Sequence, residues 1–381
     1  MGFSERVTQE AVPVWSRYRD QFPVTERLIY LNHAAVAPLC RAASDAMKRL
    51  ADDACEYGSY HYADWLDAYE GLRVAAARLI NAHADEIAIV KNTSEGIATV
   101  AMGIDWRPGD KVVGFEEEFP ANYYPWQRLQ AKGVQVEWLS ATDPLERIDE
   151  ACRGTRLLAI SFVQYISGFR SNLNAIGEIC RRHGCFFFVD AIQGLGAFPI
   201  DVETAHIDAL AADGHKWMLG PEGCAVLYVR KDRQDEIEPV EFGYTNVATT
   251  DYSVRDTTLR PNAGRYEPGT LNTIGIFGLR AALQFILEVG IEQIAPQVQS
   301  LGDQIAEGVR RKGYEVLGNR TPENGAGIVS FRKSGVESRE LFERLKGDGI
   351  VVAPRGGWVR TSPHFYISPE DVDRFLAVLP P

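Results

Sequence analysis

EIAIVKNTSEGIATVAMGIDWRPGDKVVGF, residues 86–115, holds a strand, a helix and a second strand in succession. EIAIVKN is short and rich in β-branched residues. TSEGIATVAMGI opens on hydroxyl residues and carries its apolar positions at helical spacing, and DKVVGFEEE resumes the strand character after a Pro-Gly turn. Downstream the rhythm repeats. ANYYPWQRLQAKG (121–133) reads as a helix, VQVEWLS (134–140) and RLLAISFVQ (156–164) as strands, and LNAIGEICRRHG (173–184) as a helix ended by glycine. CFFFVDA (185–191) and CAVLYVRK (224–231) read as further strands. Such alternation predicts an α/β fold whose sheet is mainly parallel, with helices on both faces.

The long helical pattern TIGIFGLRAALQFILEVG (273–290) closes this unit. The remainder, through ISPEDVDRFLAVL (367–379), carries its own helix and strand signals and predicts a smaller α+β domain. The expected division is residues 1–27 as an N-terminal segment packing on the small domain, 28–288 as the large domain and 289–381 as the small one. No internal repeat and no low-complexity segment is seen.

Composition narrows the classes. At 381 residues, 45% hydrophobic and 24% charged, the chain is long enough for two domains and has the balance of a globular protein. A formal charge of −12 argues against nucleic acid or an anionic membrane as the main partner. Six scattered cysteines, with no CxxC and no zinc-ligand spacing, read as reduced thiols. MGFSERVTQE lacks the apolar core of a signal peptide, and no later apolar run is long enough to cross a bilayer. The expected location is cytoplasmic.

In open α/β sheets ligands gather beyond the carboxyl ends of the strands. That rule groups Thr93–Ser94, Phe119, Gln164–Tyr165 and Asp190–Gln193. Lys216, in ADGHKWMLGPEG (212–223), has apolar neighbours that predict burial. Its stem can lie on apolar surface with the charge in water, or the buried amine can lose its proton and attack a carbonyl. Asp190 ends FFFVDA, as a turn residue or as a buried anion holding a cationic partner. Thr93 and Ser94 open a helix, as an ordinary cap or as a phosphate seat. No Walker loop is present, and GLGAFP (194–199) lacks the third glycine of a dinucleotide fingerprint. His206, Asp208, Asp213 and His215 are competent metal ligands, but no simple period puts four of them on one face. A metal-dependent hydrolase using His206, Asp208 and His215 stands as the alternative from another class, and no metal is expected.

A Schiff-base lysine, a strand-end aspartate and a helix-borne phosphate seat are the parts of a pyridoxal 5′-phosphate site. With VDAIQ and DGHKW carrying the likeness, the chain resembles the class V aminotransferases of the fold-type I pyridoxal-phosphate enzymes. That group includes cysteine desulfurases, isopenicillin-N epimerase and kynureninase. The likeness runs from YLNHAAVAP (30–38) to VRTSPHFYIS (359–368). It implies a large domain with a mainly parallel sheet and a smaller α+β C-terminal domain. Lys216 would join the cofactor and move the Cα proton, and Asp190 would pair with the ring nitrogen. Gln193 would bond the ring phenolate, Thr93, Ser94 and His215 would bind the phosphate, and Phe119 would stack on the ring. Thr270, in RYEPGTLNT, would reach the phosphate of a partner subunit in a homodimer. Arg360 would hold the substrate carboxylate, with His33 and Tyr165 also on the substrate side. Tyr123, Tyr124 and Arg265 lie in loops expected to choose the side chain.

Three positions depart from the family pattern. Asp213 replaces a frequent serine, and its carboxylate must turn from the phosphate or pair with His215. Tyr165 replaces a frequent asparagine. GIVVAPRGGWVR (349–360) has no cysteine where desulfurases carry their nucleophile. The expected activity is chemistry at the Cα of an amino acid, a small-molecule substrate. Amino transfer comes first, with elimination at Cβ, including C–S cleavage, and epimerisation as rivals.

Overall fold

The computed structural model describes residues 12–381. The first eleven residues of the expected 1–27 segment lie outside the described residues.

Strand β1 (Ile29–Tyr30) is followed by the helices Arg41–Tyr57 and Tyr62–Ile80. The central sheet comprises β2 (Ile87–Val90), β3 (Lys111–Phe115), β4 (Gln135–Leu139), β5 (Leu157–Ser161), β6 (Phe186–Asp190), β7 (Ala209–Asp213) and β8 (Ala225–Val229). Their order is β2-β8-β7-β6-β5-β3-β4. Only β8 runs against its neighbours, so the sheet is mainly parallel with one reversed strand. Every residue of β5 to β8 is buried. That double burial is why FFFV is a continuous apolar run, since both faces are covered by helices. β2 and β3, joined by the helix Thr93–Gly103, are separated in the sheet by four strands.

The helix Leu173–His183 begins at Asn172, whose Oδ1 accepts the Ala175 N–H at 3.1 Å, and ends at Gly184 with φ of 64°. The continuous helix expected over 121–133 does not form. Proline has no N–H to give a ladder and fixes φ, so Pro120 and Pro125 divide the segment into a 3-10 turn, a five-residue helix Tyr124–Arg128 and a second 3-10 turn.

The helix Thr273–Val289 packs across Arg41–Tyr57 and Tyr62–Ile80. Gly290, with φ of 88°, then turns the chain by 87° into the helix Ile291–Arg311. Among the described residues no single helix is long and apolar enough to cross a membrane. Beyond this bend lie β9 (Glu315–Val316), β10 (Val329–Arg332), β11 (Ile350–Val351), β12 (Ala353–Arg355) and β13 (Trp358–Thr361). β12-β13-β10-β9 form an antiparallel sheet, and β11 pairs in parallel with β1. The described N-terminal stretch lies against this unit. Arg19 Nη1 donates to Asp371 Oδ2 at 2.6 Å, and Phe22 stacks on Tyr366 with centroids 3.5 Å apart.

Candidate active site

The carboxyl ends of β5, β6 and β7 open on a cavity of about 340 Å3. Asp190 is the last residue of β6, opposite Ser161 on β5 and Ala211 on β7. After Asp213 ends β7, the chain folds into a tight turn carrying His215 and Lys216. Gly220 N–H returns to Gly214 O at 2.9 Å, and Leu219 takes the left-handed region with φ of 59°. Leu279 presses on both glycines: a Cβ at Gly214 or Gly220 would stand 2.8 or 2.7 Å from its Cδ1. The lysine loop is thereby wedged beneath the helix Thr273–Val289.

Of the residues singled out from sequence, Thr93, Ser94, Phe119, Tyr165, Asp190, Gln193, His215, Lys216 and Arg360 all line this cavity. Asp190 is 2% exposed. Burial raises its carboxyl to about 6, against the Ile192 N–H at 3.0 Å and the nearby Lys216 charge, which both favour the anion. Burial lowers the Lys216 ammonium to about 8, opposed by Asp190 and assisted by Arg360. Arg360, on β13, is held down to about 10 by burial first and by Arg355 next. Its Nη1 donates to Tyr165 O at 2.6 Å, while its buried Nε has no partner.

Gln193 donates from Nε2 to Ala34 O and accepts the Trp217 indole N–H, both at 3.0 Å. Its second amide hydrogen remains uncommitted by these two contacts. Thr93 Oγ1 accepts the Asp213 N–H at 2.9 Å, which leaves its own hydrogen to give. Asn92 caps the helix start by accepting the Glu95 N–H at 2.9 Å. His215 Nδ1 lies 2.9 Å from Asp213 Oδ1, so the extra carboxylate is paired, although neither atom is aligned for a hydrogen bond. Phe119, 48% exposed, meets the Tyr165 ring edge-on at 5.2 Å, and Lys216 Nζ sits 5.9 Å from its centroid.

Five residues singled out from sequence for the cofactor or the substrate do not line this cavity, Thr270 among them, which was expected at a partner's phosphate. His33, expected on the substrate side, is fully buried: its Nδ1 is 2.8 Å from Ser362 O and its Nε2 2.6 Å from Tyr366 OH. Both ring nitrogens are spent on the C-terminal stretch that carries Ser362 and Tyr366. Thr270 is exposed and borders a separate cavity of about 250 Å3, with its hydroxyl 3.0 Å from Tyr244 OH. Tyr123 stacks on Trp138 at 4.1 Å, and Arg265 is buried against Asp235 at 2.7 Å, so neither lines the cavity. Tyr124 is exposed and does not line it either.

The hydrolase reading fails on geometry. Asp208 is bound by Arg230 at 2.9 Å and Arg233 at 3.1 Å, His206 faces Glu178 at 3.4 Å, and His215 alone lines the cavity.

Sequence reasoning also missed Arg355, Ser161 and Glu118. Arg355 enters the cavity wall because the Gly356–Gly357 hairpin sets it beside β13. Glu118 is buried and accepts from Ser161 N at 2.6 Å, from Ser161 Oγ and from Gln164 Nε2 at 3.0 Å. Burial, with Asp190 adding, raises it to about 7. EFP at a strand end gives no sign of a buried acid, since three glutamates in a row look solvated.

A pyridoxal phosphate fits these residues. The cavity offers a buried lysine of lowered basicity, a buried carboxylate bonded only to a backbone amide, a helix start and an unsatisfied guanidinium nitrogen. Fold and site together define a fold-type I pyridoxal-phosphate enzyme.

The family profile Aminotransferase class-V matches residues 29–375, and the chain belongs to that family. It is a pyridoxal-phosphate-dependent enzyme acting at the Cα of an amino acid. It is 31% identical to a "probable cysteine desulfurase" of Pyrococcus abyssi, over 95% of this chain and 96% of that one. The apo cysteine desulfurase from Thermococcus onnurineus superposes with a TM-score of 0.89 at 28% identity, covering 97% of this chain and 98% of that one. A cystine C–S lyase, in complex with its product cysteine persulfide, superposes with a TM-score of 0.88 at 25% identity, covering 94% and 98%.

Proposed function

We propose that this enzyme cleaves the Cβ–S bond of a sulfur-containing amino acid by elimination. The observation that carries this choice is the place of the thiols. None of the six cysteines lines the cavity: Cys40, Cys152, Cys180, Cys185 and Cys224 are buried, and Cys55 is exposed on the helix Arg41–Tyr57. A desulfurase needs a thiolate that attacks the substrate sulfur and keeps it. Elimination needs only a base at Cα and a departing sulfur, and the similarity to a cystine C–S lyase supports it.

When bound, pyridoxal phosphate supplies the electron sink that stabilises charge at Cα. Lys216 would hold it and accept the Cα proton, a task favoured by an amine whose pKa is lowered to about 8. Asp190 would keep the ring nitrogen protonated. Gln193 would give its spare amide hydrogen to the phenolate, Phe119 would cover a ring face, and Thr93, Ser94 and His215 would hold the phosphate at the helix start. Arg360 takes the substrate carboxylate, and Tyr165, whose carbonyl anchors that guanidinium, borders the side-chain end. The Cβ–S bond breaks, sulfur leaves with the bonding pair, and water converts the remaining enamine to pyruvate and ammonium.

The enzyme is a cytoplasmic homodimer in this reading, with Thr270 of each chain completing the phosphate seat of the other. Exposed Phe242, Tyr244, Tyr252 and Ile274 around Thr270 supply apolar surface for such a contact.

Incubation with cystine and with cysteine, followed by product analysis, tests the reaction. Pyruvate and ammonium in equal amounts, with sulfur released as a small thiol species, are expected. Alanine with a protein-bound persulfide would replace this reading with desulfuration, and a 2-oxo acid that keeps its sulfur would replace it with amino transfer.

A further inference from the structure

Away from the cavity, Cys152, Cys180 and Cys185 converge from three elements: the end of the helix Leu145–Cys152, the helix Leu173–His183 and the entry to β6. Their sulfur atoms all lie within 4.8 Å of one another, and the three residues are 0, 1 and 2% exposed. We propose that these thiols form a three-sulfur site for a soft monovalent cation of the Cu(I) or Ag(I) kind.

The donor set decides the class of ion. Three sulfurs with no carboxylate or imidazole among them select a soft cation over magnesium, calcium or manganese. His183, two residues before Cys185, is the nearest imidazole in sequence, and its Nε2 is 3.0 Å from Asp149 Oδ1. A structural zinc site wants four ligands, which this set does not supply. In a trigonal site with metal–sulfur bonds of about 2.3 Å the sulfurs stand about 4.0 Å apart, a spacing within the observed limit.

Charge and access are both provided for. Each thiol that binds gives its proton to solvent, so the occupied site is anionic. Lys111 Nζ donates to Ala151 O at 2.6 Å, which fixes a cation one residue from Cys152. Two exposed turns flank the thiols, at Gly154 with φ of 66° and Gly184 with φ of 64°. A Cβ at either glycine would meet nothing within 4 Å. Cys152 and Cys185 therefore lie two residues and one residue along the chain from open turns, and Cys180 lies four residues before the second of them. The bland alternative is that three small, weakly polar side chains merely fill an apolar layer.

The test titrates reduced holoenzyme anaerobically with Cu(I) against a chromophoric Cu(I) chelator. One Cu(I) per chain should be withdrawn, and X-ray absorption of the wild-type complex should report three sulfur ligands and no nitrogen or oxygen. Cys152→Ser and Cys180→Ser should each weaken binding at least 100-fold while keeping the visible cofactor band, and Cys55→Ser should leave it unchanged. Should either core variant misfold, the slowing of alkylation at Cys152, Cys180 and Cys185 when Cu(I) is added to wild type, relative to Cu(I)-free wild type, reads the same contact. Failure of wild type to withdraw Cu(I), coordination other than three sulfurs, unprotected core thiols, or loss of binding in Cys55→Ser would overturn the proposal.

Discussion

Lys216 and Asp190 are moved toward each other in pKa by one cause, because burial disfavours either charge: the ammonium falls to about 8 and the carboxyl rises to about 6. Lys216→Ala removes the amine, so borohydride should leave no covalent cofactor on that chain by mass spectrometry, and turnover should fall roughly 10²- to 10⁴-fold. An adduct surviving on another lysine would reassign the role. Without cofactor, Asp190 keeps its proton up to about pH 6, and pairing with a protonated ring nitrogen must expel that proton below this point. Affinity for pyridoxal phosphate, measured by equilibrium dialysis, should therefore weaken up to about tenfold per pH unit below 6 in excess of the trend in Asp190→Asn. Equal slopes in both proteins would exclude the pairing. Glu118 supplies a separate pH signature, since its carboxyl is raised from 4.5 to about 7. A group that binds its proton more tightly when folded contributes stability at low pH, and that stability is lost as pH rises from about 4.5 to about 7. The difference in urea stability between wild type and Glu118→Gln should change across this window by on the order of 3 kcal/mol, against the wild type at the upper end.

Elements differ in how far the sequence disclosed them. β5, β6 and β8 were legible because strands buried on both faces become continuous apolar runs, and the helix Thr93–Gly103 because its cap and its periodicity agree. β7 was not, since ALAAD is short and alanine is a weak strand former, so only its neighbours make it a strand. The reversal of β8 and the separation of β2 from β3 were also hidden, because strand order is set by non-local pairing. The site followed the same division. Asp190, Lys216 and the helix start were readable from strand ends and local chemistry, whereas the burial of His33 depends on Ser362 and Tyr366, more than 300 residues away. Close packing between elements gives a testable case at Gly177, in the helix Leu173–His183. A Cβ there would overlap the Ala205 carbonyl oxygen. Alanine gains about 1 kcal/mol of helix propensity over glycine, but a backbone oxygen cannot yield as a side chain can, and overpacking costs about 1–3 kcal/mol or more. Gly177→Ala should thus lower the thermal midpoint, while Asn174→Ala, on the exposed face, should leave it nearly unchanged.

At the scale of the whole molecule, the role proposed for Thr270 requires a second chain. Its exposed side chain borders a cavity separate from that of Lys216, yet the family pattern gives it a phosphate to hold. A two-fold contact would reconcile these facts, because an isologous interface carries each Thr270 across to the other chain's helix start. The apolar side chains around it, with Tyr57, Tyr60, Tyr62 and Leu66 exposed on and between the first two long helices, are the surface such a contact would cover. The arrangement predicts complementation. Lys216→Ala lacks the nucleophile but keeps Thr270, and Thr270→Trp keeps the nucleophile but obstructs its partner's phosphate seat, so each homodimer should be inactive. When the two are mixed and refolded, random pairing makes half of the dimers hybrids, and each hybrid holds one site with both Lys216 and a normal Thr270. Activity should return to roughly a quarter of the wild-type value. A mixture that stays inactive, although each variant alone sediments as a dimer, would place Thr270 outside the partner's site, and a fully active monomer would remove the shared site altogether.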